Sequence, residues 1–259
     1  MMFHPFHMVE KSPWPLSSSI SAFSLTLGFV NYFHNNNMNL FVLAILILIL
    51  SSYQWWRDIS REASFQGFHT FPVLKGLKLG MLLFILSEVF FFISFFWAFF
   101  HSSLSPNVEI GSMWPPKYIF PFNPFEIPLL NSTILISSGV SVTWAHHSIM
   151  NKDYFSALLS LKITIMLGAL FTMFQLFEYY EAQFSISDGI FGSTFFLTTG
   201  FHGIHVIIGS VFLLVTLTRV KNCLISSEHF FGFEASAWYW HFVDVVWLFL
   251  FTFMYWWIY

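Results

Sequence analysis

No charged residue occurs between Lys11 and Arg57, and none occurs in the thirty residues 189–218. A water-soluble domain cannot carry such runs, because its helices need a polar face and about a quarter of its residues are Asp, Glu, Lys or Arg. Here that share is 9%, against 56% hydrophobic and 22% aromatic residues. A bilayer core about 30 Å thick needs roughly 20 helical residues to cross it, with every backbone polar group satisfied inside the helix. The charge-free runs therefore point to an all-α, polytopic membrane protein. They argue against an ordinary soluble enzyme, a nucleic-acid binder and a disordered regulator. The net charge of -3 says little about partners, and the single cysteine, Cys223, leaves no disulfide framework and no multi-thiolate cluster.

Divided at its polar loops, the chain gives seven transmembrane spans: residues 16–33, 40–56, 73–100, 129–146, 154–177, a stretch within 189–218, and 231–257. The Asn-rich stretch 31–39 separates the first two, and Glu234 and Asp244 interrupt the last. Residues 101–128 are broken by prolines and are predicted to form a loop outside lipid. Alternating the loops gathers Lys11, Arg57, Arg61, Lys75, Lys78, Lys152, Arg219 and Lys221 on the N-terminal side. Lys162 can snorkel to that side and Lys117 falls opposite. The positive-inside bias then puts the N-terminus in the cytoplasm of a bacterium or the matrix of a mitochondrion, and an odd count puts the C-terminus across the membrane. The strings "YQWWR", "EYYE" and "YWWIY" supply aromatics at headgroup level, and Glu178, Glu181 and Asp188 are expected on the opposite, solvated surface. The first residues lack the character of a transit or signal peptide, so no cleavage is expected.

Several polar groups fall where lipid would not tolerate them. Glu88 lies near the middle of the third span, where a carboxyl must face protein or water. It reads either as a proton- or ligand-related site or as packing glue between helices. His202 and His205 share a helical face in the sixth span, and His241 and Asp244 share one in the seventh. By rise per residue these could meet, either as metal or haem ligands or, the reading favoured here, as an interhelical hydrogen-bond network with Asp244 as acceptor. Gly200, Gly203 and Gly209 read as close-approach packing positions. His146 and His147 read as interfacial side chains pointing in different directions. The basic set Arg57, Arg61, Lys75, Lys78, Arg219 and Lys221, with Trp56, His69 and His229 nearby, suggests anionic lipid headgroups, or orientation alone. No Gly-rich phosphate loop, nucleophile elbow or HExxH motif occurs.

The strings "HMVEKSPWPL", "YQWWRDISRE", "SEVFFFISFFWAFFHSSL", "NPFEIPLLN", "ISDGIFGSTFFLTTGFHGIHVIIG" and "HFFGFEASAWYWHFVDVVWLFL" make the chain resemble the mitochondrial cytochrome c oxidase subunit 3 family over residues 7–257. The resemblance implies a core subunit of respiratory complex IV, which reduces O2 to water with cytochrome c electrons and pumps protons. It implies a single domain over 1–259, with helices 1–2 (15–62) and helices 3–7 (71–259) enclosing a lipid-filled V-shaped cleft. It also implies that this chain is itself non-catalytic, with haem a, haem a3 and copper held by subunits 1 and 2, and that accessory subunits are further partners. The lipid contacts implied are Trp56, Arg61, His69, Arg219 and His229, with cardiolipin and phosphatidylglycerol as ligands. Glu88 resembles the family's intramembrane carboxylate, beside an O2 route and related to proton uptake by subunit 1. The implied location is the mitochondrial inner membrane, N-terminus in the matrix and C-terminus toward the intermembrane space. A stand-alone proton-coupled transporter is the alternative.

Overall fold

The computed structural model describes residues 4–259. The described residues form seven long helices and no strand: α1 (Trp14–Asn35), α2 (Asn39–Phe65), α3 (Phe71–Leu104), α4 (Ile127–Met150), α5 (Tyr154–Glu181), α6 (Gly189–Lys221) and α7 (Phe231–Leu250), the last running on into a π-helical turn, Phe251–Trp256. Six of them, α2 to α7, are long and apolar enough to cross a bilayer. α1 has 22 residues, a span of about 33 Å, but Ser17, Ser18, Ser19, Ser21 and Ser24 dilute its apolar run. Most of these hydroxyls donate back to the helix's own carbonyls, Ser19 to Leu16 at 2.8 Å and Ser24 to Ile20 at 2.8 Å, so little of that polarity is left for lipid to meet. Between α3 and α4 the proline-rich stretch is irregular save for a short 3₁₀ turn, Val108–Ile110. The third and sixth helices run past their expected ends, to Leu104 and Lys221.

The chain divides into two compact units, Met1–Leu77 and Lys78–Tyr259. The division falls inside α3. In the first unit α1 and α2 form an antiparallel hairpin. Asn36, with φ 52°, closes the turn and donates its N–H to Tyr32 O at 2.9 Å, a left-handed conformation that asparagine tolerates. At the far end of the hairpin Trp14 Nε1 donates to Asp58 at 2.7 Å and His7 Nε2 meets Glu62 at 2.9 Å.

In the second unit α4 packs on α5, α5 on α6, α6 on α7 and α7 back on α4, closing a ring of helices. Helices in lipid gain little from the hydrophobic effect and rely on close packing and interhelical hydrogen bonds. Trp240 of α7, fully buried, supplies both. Its Nε1 donates to Ser138 of α4 at 2.9 Å. A Cβ at Gly168 of α5 would lie 2.6 Å from its ring, and one at Gly209 of α6 2.9 Å, so both glycines are what admits the indole. Of the other two glycines expected as close approaches, Gly200 meets only the Tyr179 hydroxyl at 4.0 Å and Gly203 meets nothing within 4 Å. α3 reaches α6 and α7 through aromatic side chains, with Phe91 edge-on to Phe201 at 5.0 Å and Phe92 tilted against Phe242 at 6.1 Å.

The start of α5 is set by Asp153, whose carboxylate accepts from Ser156 N at 3.2 Å and Ser156 Oγ at 2.6 Å. These bonds, the hydroxyl's first, hold the Asp153 carboxyl below its ordinary value of 3.8. A depressed folded value means that the stabilisation is present above the unfolded pKa and is lost as pH falls through the folded one. Asp153→Ala is therefore expected to lower thermal stability at pH 7, with the difference between the two chains shrinking as pH falls below the ordinary carboxylate value of 3.8. Equal melting at pH 7 would contradict it.

Candidate functional site

Glu88 stands 17 residues into the 34-residue α3, about 26 Å along a helix of about 51 Å, and so near its middle. Its Oε2 lies 2.9 Å from His205 Nε2 of α6. The other ring nitrogen of His205, Nδ1, lies 2.6 Å from the carbonyl of Phe201. A carbonyl only accepts, so Nδ1 carries a hydrogen. The bond between His205 and Glu88 then holds one proton, either on the acid beside a neutral imidazole or on the imidazole beside a carboxylate. The pair lines a cleft of about 600 Å³ whose other walls are mainly apolar, among them Phe84, Phe91, Ile208, Phe212 and Tyr239. The Tyr239 ring stacks on that of His205 with centroids 6.2 Å apart.

The four-member network expected from His202, His205, His241 and Asp244 does not form. His205 turns to Glu88 on α3, while His202 donates Nε2–H to the Val243 carbonyl of α7 at 3.1 Å. His241 Nδ1 stays 3.9 Å from Asp244 Oδ2, beyond hydrogen-bond reach. The reason is helical phase: His241 and Asp244 lie on the side of α7 that faces α4, where a Cβ at Gly139 would stand 2.9 Å from the Asp244 carboxyl. Among the described residues no three His, Cys, Asp or Glu side chains converge to hold a metal ion. His146 and His147 are nearer than their adjacency on a helix suggests, their rings stacking at 6.0 Å.

The basic and aromatic set is distributed over both units. In the first, Trp56 is 68% exposed and Arg61 exposed, with His69 half-buried. Asp58 ties together the arginines here: Arg57 donates to it at 2.9 Å and Arg61 lies 3.9 Å away. In the second unit Lys78 is paired with Glu234 at 2.8 Å. Arg219 and His229 are both half-buried. Burial first, and then the Arg219 guanidinium, hold the His229 imidazole below the usual histidine value, so it is neutral at pH 7. A Cβ at Gly232 would come within 2.8 Å of an Arg219 terminal nitrogen, so this glycine leaves the guanidinium its place. Glu178, expected on a solvated surface, is 1% exposed and accepts from the Tyr255 hydroxyl at 2.7 Å. The string "EYYE" conceals this, because one of its acids faces α7 while the next, Glu181, faces out.

These features define a polytopic helical membrane protein with a proton-sharing acid–imidazole pair in an apolar cleft. The profile of the family described as cytochrome c oxidase subunit III matches residues 4–259. Cytochrome c oxidase subunit 3 of Rhipicephalus sanguineus is 79% identical over 257 residues, 99% of this chain and 100% of the relative. Those of Aedes aegypti and Drosophila melanogaster are 61% and 60% identical over 254 residues, 98% of this chain and 97% of each relative. The chain belongs to the cytochrome c oxidase subunit III family.

Proposed function

We propose that this chain is the third core subunit of respiratory complex IV in the mitochondrial inner membrane, with its N-terminus in the matrix. On this reading the chain is not itself catalytic. It packs beside subunits 1 and 2, which carry haem a, haem a3 and copper, and beside accessory subunits, and it binds phospholipid. The observation that carries this reading is near-full-length identity of 79% to a relative named as cytochrome c oxidase subunit 3. The bias of basic residues to one side supports the orientation. Purification from its native membrane should bring down partners bearing haem and copper. A chain that purifies alone, or that shows a Soret band when separated from those partners, would overturn it.

Glu88 and His205 serve, on this reading, beside the path by which O2 and protons reach subunit 1. Apolar walls favour dioxygen over water, and a bond that holds a proton on either of two atoms can pass it on. Glu88→Gln keeps a donor and an acceptor but no mobile proton. Haem content should stay unchanged while sustained turnover changes. Unchanged turnover at limiting oxygen and across pH would reduce Glu88 to packing. The same pair also suits a stand-alone proton-coupled transporter, and activity of the chain reconstituted alone would favour that second reading.

Trp56, Arg61 and His69 in one unit, and Arg219 and His229 in the other, are the residues assigned to anionic headgroups, cardiolipin or phosphatidylglycerol. Arg219→Gln should lower the anionic lipid that co-purifies with the oxidase. Gly232→Ala, which pushes the guanidinium aside, should lower it by a smaller amount with zwitterionic lipid unchanged. Equal lipid counts by native mass spectrometry would contradict both.

A further inference from the structure

α3 is held to its neighbours differently from the other helices of the second unit. Its backbone makes no extended close approach to α6 or α7. Phenylalanine rings fill the space instead: Phe92 lies against Phe242 at 6.1 Å, Phe96 against Phe253 at 5.8 Å and Phe100 against Phe253 at 5.0 Å. Such packing says little about where α3 stands along its own axis. Phe92, Phe96 and Phe100 are four residues apart, and so are Phe91, Phe95 and Phe99. A slide of about 6 Å puts one ring where its neighbour stood and leaves the aromatic contacts almost unchanged. The polar contacts have no such repeat. Among the described residues two of them join α3 to α6 and α7: Glu88 to His205 at 2.9 Å, and Lys78 Nζ to Glu234 Oε2 of α7 at 2.8 Å. Four residues either side of Lys78 stand Leu74 and Leu82, and either side of Glu88 stand Phe84 and Phe92. A slide by one turn therefore takes both acids from their partners and offers nothing in exchange.

We propose that the Lys78–Glu234 ion pair is a positioning contact: it fixes the register of α3 so that Glu88 stands opposite His205. Lys78 and Glu88 are ten residues apart, about 15 Å along the helix, so the two pairs act on each other only through the helix that carries both. The Lys78 side chain is 45% exposed and that of Glu234 17%. An ion pair so open to its surroundings adds little stability by itself. In a packing that is apolar and repeats along the axis, a polar contact adds a unique register instead, as a single polar residue does in a coiled coil. Glu234 suits the fixed end of the contact. It lies in the first turn of α7, where the helix dipole favours an acid, and α7 is itself anchored by the fully buried Trp240 and its bond to Ser138. That Glu88 and His205 serve oxygen or proton delivery is the reading proposed above, and only the effect on turnover rests on it.

The test is the infrared signal of the Glu88 carboxyl in the whole oxidase, assigned by its loss in Glu88→Gln. Lys78→Met should shift that signal while haem content and thermal midpoint stay close to those of the unaltered complex. Sustained turnover should change in the same direction as in Glu88→Gln. Lys78→Arg, which keeps the charge and the reach, should leave the signal where it stands in the unaltered complex. A Glu88 signal unmoved by Lys78→Met would overturn the proposal, and so would an equal shift in Lys78→Arg. A signal that shifts while turnover ignores both Lys78→Met and Glu88→Gln upholds the register contact and overturns the role proposed for the Glu88–His205 pair. If the Lys78→Met oxidase fails to assemble, Glu234→Gln removes the charge from the other side and is read in the same way.

Discussion

Trp240→Ala is expected to remove most of the stability that holds α4, α5, α6 and α7 together. The indole is fully buried, bonded to Ser138, and fitted against Gly168 and Gly209. Emptying a site of that size costs about 3–5 kcal/mol in measured series. Lipid cannot easily refill a space closed by helices on every side. The loss should appear as a lower thermal midpoint and a smaller fraction of the chain retained in assembled oxidase. Trp240→Phe separates the contributions: it keeps much of the ring's contact but leaves Ser138 without its donor, at about 1 kcal/mol. Gly168→Val approaches the same site from the other side, forcing a side chain where a Cβ already comes within 2.6 Å of the indole, with an overpacking cost of about 1–3 kcal/mol or more. A Trp240→Ala chain that melts and assembles like the unaltered one would show that the ring of helices is held elsewhere.

His205→Ala should be more damaging than Glu88→Gln, although both break the same pair. Removing the imidazole leaves the Glu88 carboxyl facing Phe84, Phe91 and Phe212 with no partner, and a partly buried polar group so stranded costs about 1–3 kcal/mol. The glutamine variant still has an oxygen and an amide to offer His205. In the double variant His205→Ala, Glu88→Leu the stranded carboxyl is gone, so stability should return toward that of Glu88→Leu alone. A cycle of these variants is expected to give a coupling energy above about 0.5 kcal/mol, the level at which neighbours in contact depart from additivity. Additive effects would mean that the 2.9 Å contact contributes nothing to the fold.

The helices themselves were legible because charge-free runs and polar loops mark where lipid begins and ends. Glu88 was legible for the same reason, since an acid in such a run is costly anywhere but against a partner. Its partner was not. His205 and His202 are three residues apart, and a turn of under one hundred degrees decides whether a side chain meets α3 or α7. That phase depends on how bulky Phe91, Phe92, Phe201 and Phe242 fill the space between helices, which spacing along one chain does not reveal. Glu178 was misread because "EYYE" at a span's end has the composition of a headgroup belt, and only the return of Tyr255 on the π turn buries it. The lipid residues stand differently again. Trp56, Arg61, His69, Arg219 and His229 follow from resemblance and charge, while Asp58, the acid beside Arg57 and Arg61, carries no sequence signal of its own.

The serine-diluted α1 has a consequence for biogenesis. A helix enters a bilayer from the translocation machinery according to its summed apolarity, and α1 falls short of the level its neighbours reach. It is separated from α2 by only Asn36, Asn37 and Met38. α2, with "LFVLAILILIL" at its centre, has apolarity to spare. The two are therefore expected to partition together as one hairpin, with α1 crossing only once α2 has left the ribosome, so that membrane entry of this chain begins with its second helix.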